Sequence, residues 1–499
     1  MVPLLTAEQI RQADAYTIAH EPISSIDLME RAAKAFVNKF VDLYPEPASV
    51  LVCCGTGNNG GDGLAIARLL YERGYTDIAV WIVAYSQNKT KDFEVNYQRL
   101  LAYPIRSQEL QPTDPIPTIA ADIVIDALIG SGLNKPLRAP WDSLVKSINQ
   151  ETKIVISVDI PTGMPADGKM NGFEDAIIAR DVITFQVPKL SFLFPESGKF
   201  LRKFHVVDIG LHQHFTASQD TEFCAITEDD IRSRLKVREA FSHKGTYGHA
   251  CIVAGSENTM GAALLCAEAC LFTGAGLTTV CIPFSGLSAL NARLPEVMAL
   301  ERSKLSEVST GKYKALAIGP GLGTGEEIKG YLSEMLADDL SAAVFDADAL
   351  NVFAENKNLL ALLKEGTILT PHMKEFDRLF GDSDQWWDRV VKARTEAKKR
   401  KLIIILKNRY TFIALPDGKI WVNFTGNPAM ASGGMGDVLT GVLVGLLAQG
   451  YRSEEAAILG VFIHGKAGDL LVKEGMGVIP ASLLIKKIPN VIEDFSTIL

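Results

Sequence analysis

The strongest constraint on the fold is one continuous stretch, residues 49–74, in which SVLVCC runs into GTGNNGGDG and then into LAIARLLYERG. The apolar run fits a strand buried on both faces, and the last segment spaces its apolar residues for a helix. Strand, glycine loop and helix in that order open a parallel α/β sheet. The strand signal returns in DIAVWIVAYS, ADIVIDALIG, KIVISVDIPTG and DVITFQVP with helix-sized gaps, the pattern of a sheet covered by helices on both faces. After VVDIGL, which ends at Leu211, the polar and unperiodic HQHFTASQDTEF reads as a linker. Alternation then restarts with HACIVAGS, the helical GAALLCAEACLFTGAG, LTTVCIP, ALAIGPGLG, AAVFDADAL, LIIILKN and TFIAL. Two α/β domains follow, residues 1–215 and 220–499.

Composition narrows the partners. A net charge of -9 argues against a chain that coats nucleic acid or membrane surfaces, because such binding needs clustered Lys and Arg. Small molecules become the expected ligands. The first residues, MVPLLTAEQIRQADAY, lack a basic region followed by an apolar core, and no run has the length of a membrane span, so a cytoplasmic protein is expected. Seven cysteines, most of them inside apolar runs, read as reduced core residues rather than a disulfide framework. The histidines show no paired metal-ligand spacing, which disfavours zinc.

In GTGNNGGDG the amides at the helix start favour phosphate, but the second strand, DIAVWIVAYS, ends without the acid that a dehydrogenase uses for ribose. The loop offers Asn58, Asn59 and Asp62 instead, and two further strand ends carry Asp126 and Asp159, the latter followed by Thr162. In a doubly wound sheet these strand ends meet at one crevice, and converging oxygens suit a hard cation. Each aspartate taken alone reads equally well as a cap or turn former.

GTGNNGGDG, DALIGSGLNKP and SVDIPTG resemble the N-terminal domain of the NAD(P)H-hydrate epimerase family. The resemblance implies a Rossmann-like fold, a bound potassium ion and epimerisation of hydrated NADH or NADPH at C6 of the nicotinamide ring. It further implies that Asn59, Asp126 and Thr162 hold potassium, with Thr162 standing where Ser is usual. Asn58, Asn59, Gly60, Gly61 and Asp62, then Gly130, Ser131, Gly132, Leu133, Asn134, Lys135 and Pro136, and Asp159 would line the substrate. Asp159 is the candidate for proton exchange near C6; hydrogen-bonding the substrate's ribose is its alternative role.

The second half carries GNPAMASGGMGDVLTG, residues 426–441. Apolar residues at 438, 439, 442, 443, 446 and 447 fall on one stripe and predict a helix starting near Asp437. Gly433, Gly434 and Gly436 then present amides at its positive end, which can hold a transferring phosphoryl group, and Asp437 can take the proton of the attacking hydroxyl. Capping alone is the plainer role for Asp437. The stretch resembles the anion-hole motif of the ribokinase-like superfamily, and with HKGTYGHACIVAGS, IGPGLG, DADALN, LTPHMKEF and HGKAGD it is similar to the ADP- or ATP-dependent NAD(P)H-hydrate dehydratases.

That resemblance implies a ribokinase-like C-terminal domain in which Gly323 and His372, Met373, Lys374, Glu375, Phe376, Asp377 and Arg378 contact the hydrated substrate together with Asp437, the catalytic base. Lys407, Asn408, Arg409, Tyr410 and Thr411, with Gly426, Asn427, Ala431, Ser432, Gly433, Gly434, Met435 and Gly436, would hold ADP with magnesium. LTPHMKEF lacks the commoner Pro-Gly after its histidine. Met435 stands where a small residue is usual and is expected to narrow the anion hole. ADP rather than ATP is expected from the fused two-domain arrangement, and a homo-oligomer from family likeness.

Asp346–Asn351, DADALN, reads either as a helix cap or as a position for magnesium or substrate. His212 and His214 fall in the linker and are expected to be inert, and KARTEAKKRKL, residues 392–402, reads as a solvated helix face. The expected function is bifunctional repair of hydrated nicotinamide nucleotides. The alternative is a small-molecule kinase with an N-terminal nucleotide-binding regulatory module.

Overall fold

The computed structural model describes residues 2–46, 48–152, 154–308, 312–337 and 342–496. The chain divides into two compact units, Pro3–Thr221 with Gln385–Trp387, and Met1–Val2 with Glu222–Asp384 and Asp388–Leu499. Among the described residues no helix is long and apolar enough to cross a membrane.

The first unit holds a parallel sheet in the order Arg106–Leu110, Ile78–Val83, Val50–Cys54, Ile123–Ala127, Val155–Val158, Ala179–Phe185, Leu201–Val207. Chain order reverses beside Val50–Cys54, and a crevice at such a switch point is where doubly wound sheets bind ligands. Val50–Cys54 and Ile123–Ala127 are buried along their whole length, as their unbroken apolar runs predict. Arg106–Leu110 escapes sequence reading because it is an edge strand with four exposed residues and no apolar pattern.

Two thirds of the expected glycine loop is helix, since Asn58–Glu72 begins inside it. Its glycines answer to packing. A Cβ on Gly60 would lie 1.7 Å from the Gly55 oxygen, and one on Gly63 2.6 Å from Ala127 Cβ. The expected linker is also partly structured. His212 caps the short helix Gln213–Ala217 and packs against Tyr16, so it is a structural residue rather than an inert one.

The second unit orders its strands Phe223–Ala225, Ile420–Asn423, Thr411–Ala414, Ile403–Leu406, Ile368–Leu369, Ala343–Phe345, Ala315–Ile318, His249–Val253, Leu277–Ile282, Met298–Glu301. They pair in parallel except where Thr411–Ala414 meets its two neighbours. The helix Met435–Ala448 is buried from Val438 to its end. It packs closely on Met260–Thr273, because Gly441 leaves room where a Cβ would come within 2.2 Å of the Cys266 oxygen. Burial on all sides fixes where this helix starts, and its start is the second site.

Candidate active sites

At the first switch point lies a cavity of about 640 Å³, lined by Asn58, Asn59, Asp62, Gly130, Ser131, Gly132 and Asp159 from the expected set. Gly60 and Gly61 do not line it: both are buried, and a Cβ on Gly61 would press on Met29. Leu133 to Pro136 also lie outside the lining, on a loop in which Asn134, Lys135 and Pro136 are exposed.

Asp159 sits in the left-handed backbone region at φ 65, which costs a non-glycine residue about 1–3 kcal/mol and persists only where neighbours hold it. Here they do. Its Oδ1 accepts from Phe185 N at 3.0 Å, Thr184 Oγ1 at 3.1 Å and Lys189 Nζ at 2.6 Å. Lys189 is 1% exposed, so the pair is a buried ion pair whose rupture is costly. Among the described residues no donor reaches Asp159 Oδ2. Asp159 is therefore anchored through one oxygen by a lysine and two further donors.

Sequence reading missed Lys189 and also Asp14, which the helix Ala7–His20 brings to the same cavity. Burial, then the Asp159 charge, raise the Asp14 carboxyl to about 6, against a lowering pull from Lys189. Burial, then Asp159, Asp14 and Asp92, push Asp62 well above the usual carboxylate range.

Asp126 is fully buried. It accepts from Ser157 Oγ at 2.7 Å, Thr162 Oγ1 at 2.6 Å, Thr162 N at 2.8 Å and Leu128 N at 3.3 Å. Burial raises its carboxyl and these hydrogen bonds lower it. All four donors are neutral. Asn59 lies beside Gly130, where a Cβ would come within 3.2 Å of the Asn59 side chain, and its buried Nδ2 has no partner. The Asp126 carboxylate is thus buried with only neutral donors on it, whereas the unpartnered Asn59 amide nitrogen is a donor that calls for an acceptor.

In the second unit Gly434, at φ 88, caps Met435–Ala448, which begins two residues before the predicted start and so puts Asp437 in the first turn. Burial, then Asp346, raise Asp437 to about 6, with Lys407 lowering and Asp348 raising it further. Lys407 Nζ donates to Asp346 Oδ1 at 2.9 Å, and Thr440 Oγ1 donates to Asp346 Oδ2 at 2.7 Å. Asp346 also caps Ala347–Glu355. Both of its oxygens are thus engaged, so capping and pairing describe it better than a free metal position does. A Cβ on Gly436 would lie 3.5 Å from Lys407 Nζ, which places that lysine beside the helix start rather than out along the nucleotide loop.

Gly323, at φ 85, donates its N–H to Asp348 Oδ2 at 2.8 Å. Asp469, which sequence reading left as part of HGKAGD, accepts from Gly426 N at 3.1 Å and Asn427 Nδ2 at 2.8 Å and so holds the glycine loop. His464 donates through Nε2 to the Met435 carbonyl at 3.0 Å, and burial lowers it to about 4, so it is neutral and structural. The Ser432 hydroxyl donates to the Ile479 carbonyl. Gly433 and Ala431 are exposed at the loop. Met435 packs against the hydrophobic core, where the sequence led us to expect it in the anion hole. Beyond Lys407, Arg409 stacks on Tyr410, and Thr411 Oγ1 donates to the Asn408 carbonyl.

The segment after Pro371 divides in two. His372 and Glu375 form a reciprocal cap on Met373–Phe380. Phe376 is fully buried and Asp377 is held by Arg389 at 2.7 and 2.8 Å. These two build the helix rather than meet a ligand. His372, Met373, Lys374 and Arg378 are the exposed members.

A doubly wound unit and a second α/β unit, each with acids at a glycine-lined strand-to-helix turn, define a fused enzyme with two sites. The family model for NAD(P)H-hydrate dehydratase matches residues 250–490, and that for the YjeF-related protein N-terminus matches residues 25–191. The bifunctional NAD(P)H-hydrate repair enzyme of Moorella thermoacetica is 34% identical, covering 98% of this chain and 97% of its own. That of Leishmania braziliensis is 32% identical, covering 98% and 93%. A solved ribokinase-like superfamily protein from Enterococcus faecalis V583 is 27% identical with a TM-score of 0.52, covering 56% of this chain and 98% of that one. The chain belongs to the family of bifunctional NAD(P)H-hydrate repair enzymes. Matches that span both units favour this over a kinase with a regulatory module.

Proposed function

We propose that the first unit interconverts the R and S epimers of hydrated NADH and NADPH at C6, and that the second returns the S epimer to NADH or NADPH using ADP. The observation that carries the second activity is Asp437, raised to about 6 at a glycine-capped helix start. There a carboxylate accepts the proton of the C6 hydroxyl as its oxygen attacks the β-phosphorus of ADP, and AMP leaves. The amides of Gly433, Gly434 and Gly436 stabilise the charge on the transferring group. The phosphate then departs from C6 as the ring nitrogen donates its electron pair. Loss of a C5 proton restores the double bond.

Lys407–Thr411 and Gly426–Gly436 are the candidate ADP contacts, the latter held by Asp469; His372, Lys374, Arg378 and Gly323 are the candidate substrate contacts. Magnesium bound with ADP would neutralise its phosphates. In the first unit Asn59, Asp126 and Thr162 would hold potassium, which supplies the positive charge that the buried Asp126 carboxylate lacks. Asp159 Oδ2 would accept a hydrogen bond from the substrate while Lys189 holds Oδ1. The seven cysteines are all buried and none is in a disulfide, which fits a reducing compartment, the cytoplasm.

The test is recovery of reduced-nicotinamide absorbance from mixed R and S hydrated NADH with magnesium, potassium and either ADP or ATP. Complete recovery with ADP is the expected result. Recovery that stops once the S epimer is used up removes the epimerase, and recovery with ATP alone reverses the choice of donor.

A further inference from the structure

The epimerase cavity contains more acid than an anchored Asp159 explains. Asp14 and Asp62 line it too, and among the described residues neither carboxyl has a hydrogen-bond donor. The single ammonium lining the cavity, Lys189, is bound to Asp159 at 2.6 Å and also donates to the Phe185 carbonyl. Arg11, the other cation of the lining, is bound to Glu8. Asp159 thus has its charge balanced, whereas Asp14 faces the cavity with no balancing partner. Of two carboxylates sharing a site, the one without a cation is the stronger base.

Resting on the epimerase reading, we infer that Asp14 is the catalytic group that carries the proton during epimerisation, and that the Asp159–Lys189 pair holds the substrate in place. Hydrated nicotinamide is a carbinolamine at C6, with the hydroxyl and ring nitrogen on one carbon. Asp14 takes the hydroxyl proton as the C6–O bond becomes a carbonyl. The C6–N1 bond breaks with its electron pair going to N1, and Asp14 gives N1 the same proton. Rotation about the C5–C6 bond turns the other face of the aldehyde to the nitrogen, and the steps reverse. N1 re-forms its bond to C6, Asp14 recovers the N–H proton and returns it to the oxygen. One carboxylate and one proton complete the cycle, and no oxidant, reductant or added nucleophile is consumed. Asp62, which burial and its acidic neighbours push well above the usual carboxylate range, takes no part in this proton cycle.

The working form of Asp14 is the carboxylate. Burial and Asp159 raise it and Lys189 lowers it, to about 6, so turnover falls as pH drops through that value and is level above it.

The experiment follows R-to-S conversion by chiral chromatography on the full-length enzyme, with ADP-dependent turnover of pure S epimer as the internal control. Asp14→Asn is expected to lower the epimerase kcat by about 10²–10⁴-fold, to leave KM and the control rate unchanged, and to remove the acid limb of the pH profile. Asp14→Glu restores part of kcat together with a limb. An Asp14→Asn enzyme that keeps wild-type kcat, or that keeps the limb, overturns the inference. So does a wild-type profile with no limb between about pH 5 and 7, a reading that holds even where a variant fails to fold. Wild-type enzyme with no R-to-S conversion removes the epimerase reading itself, and that outcome is distinct from loss confined to the Asp14 variants.

Discussion

The two units share no strand order, yet their sites repeat one electrostatic arrangement. In each, a lysine is bound to one aspartate, Lys189 to Asp159 at 2.6 Å and Lys407 to Asp346 at 2.9 Å. In each, a second aspartate nearby has no cation of its own and rises to about 6, Asp14 in the first and Asp437 in the second. The difference lies in the paired acid. Asp346 is 2% exposed with both oxygens engaged, whereas Asp159 keeps Oδ2 free in a cavity. On the proposed reading, a lysine–aspartate pair serves as scaffold in the second unit and as part of the binding surface in the first, while the unpaired acid carries the proton in both.

The comparison is easiest to break at Asp437. Asp437→Asn should lower ADP-dependent turnover of the S epimer by about 10²–10⁴-fold and leave R-to-S conversion intact; equal loss of both activities would mean that the sites are not independent. Lys189→Met leaves the Asp159 charge buried without its partner, which should destabilise the first unit by about 3–5 kcal/mol and abolish epimerisation. Denaturant unfolding of the full chain would register this as loss of one transition, and an unchanged transition would show that the pair is not holding the turn.

A subtler probe is pH. The proposed base Asp437 would work ionised, and burial with Asp346 raises it to about 6, so dehydratase kcat should be level at higher pH. Below that it should fall by about tenfold per unit. A limb near the ordinary carboxylate range would mean that the neighbouring acids do not act on Asp437. The smallest effect is expected from Met435→Ala. Its side chain packs on the core, so the change should cost about 1–2 kcal/mol of stability, less than a fully buried Met, with KM for ADP unchanged. A change in KM without loss of stability would return Met435 to the anion hole.

Much of the second site is legible in the amino-acid sequence. The apolar stripe after Asp437 and the glycines before it mark a helix start, and a helix start is a local property. Asn58, Asn59, Gly130 and Asp159 are legible for a related reason, since strand ends in a doubly wound sheet converge whatever their spacing. The segment after Pro371 is harder. Its eight-residue helix has one face on the core, which takes Phe376, while Arg389 holds Asp377, although Lys374 and Arg378 nearby are exposed. Gly60 and Gly61 look like ligand contacts in sequence and are packing residues in the fold, because a glycine needed for close approach reads the same wherever the approach occurs.

The amino-acid sequence by itself determined the alternation of buried strand and helix, the division into two α/β units, and the glycine-lined turns that carry Asp159 and Asp437. These rest on periodicity and backbone freedom, which act over a few neighbouring residues. Only the tertiary structure decided which acid keeps a lysine. Asp346 and Lys407 are 61 residues apart, and Asp14 arrives from a helix far from Asp159 in the chain. Charge interactions depend on distance and burial in space, and no spacing along a chain encodes either.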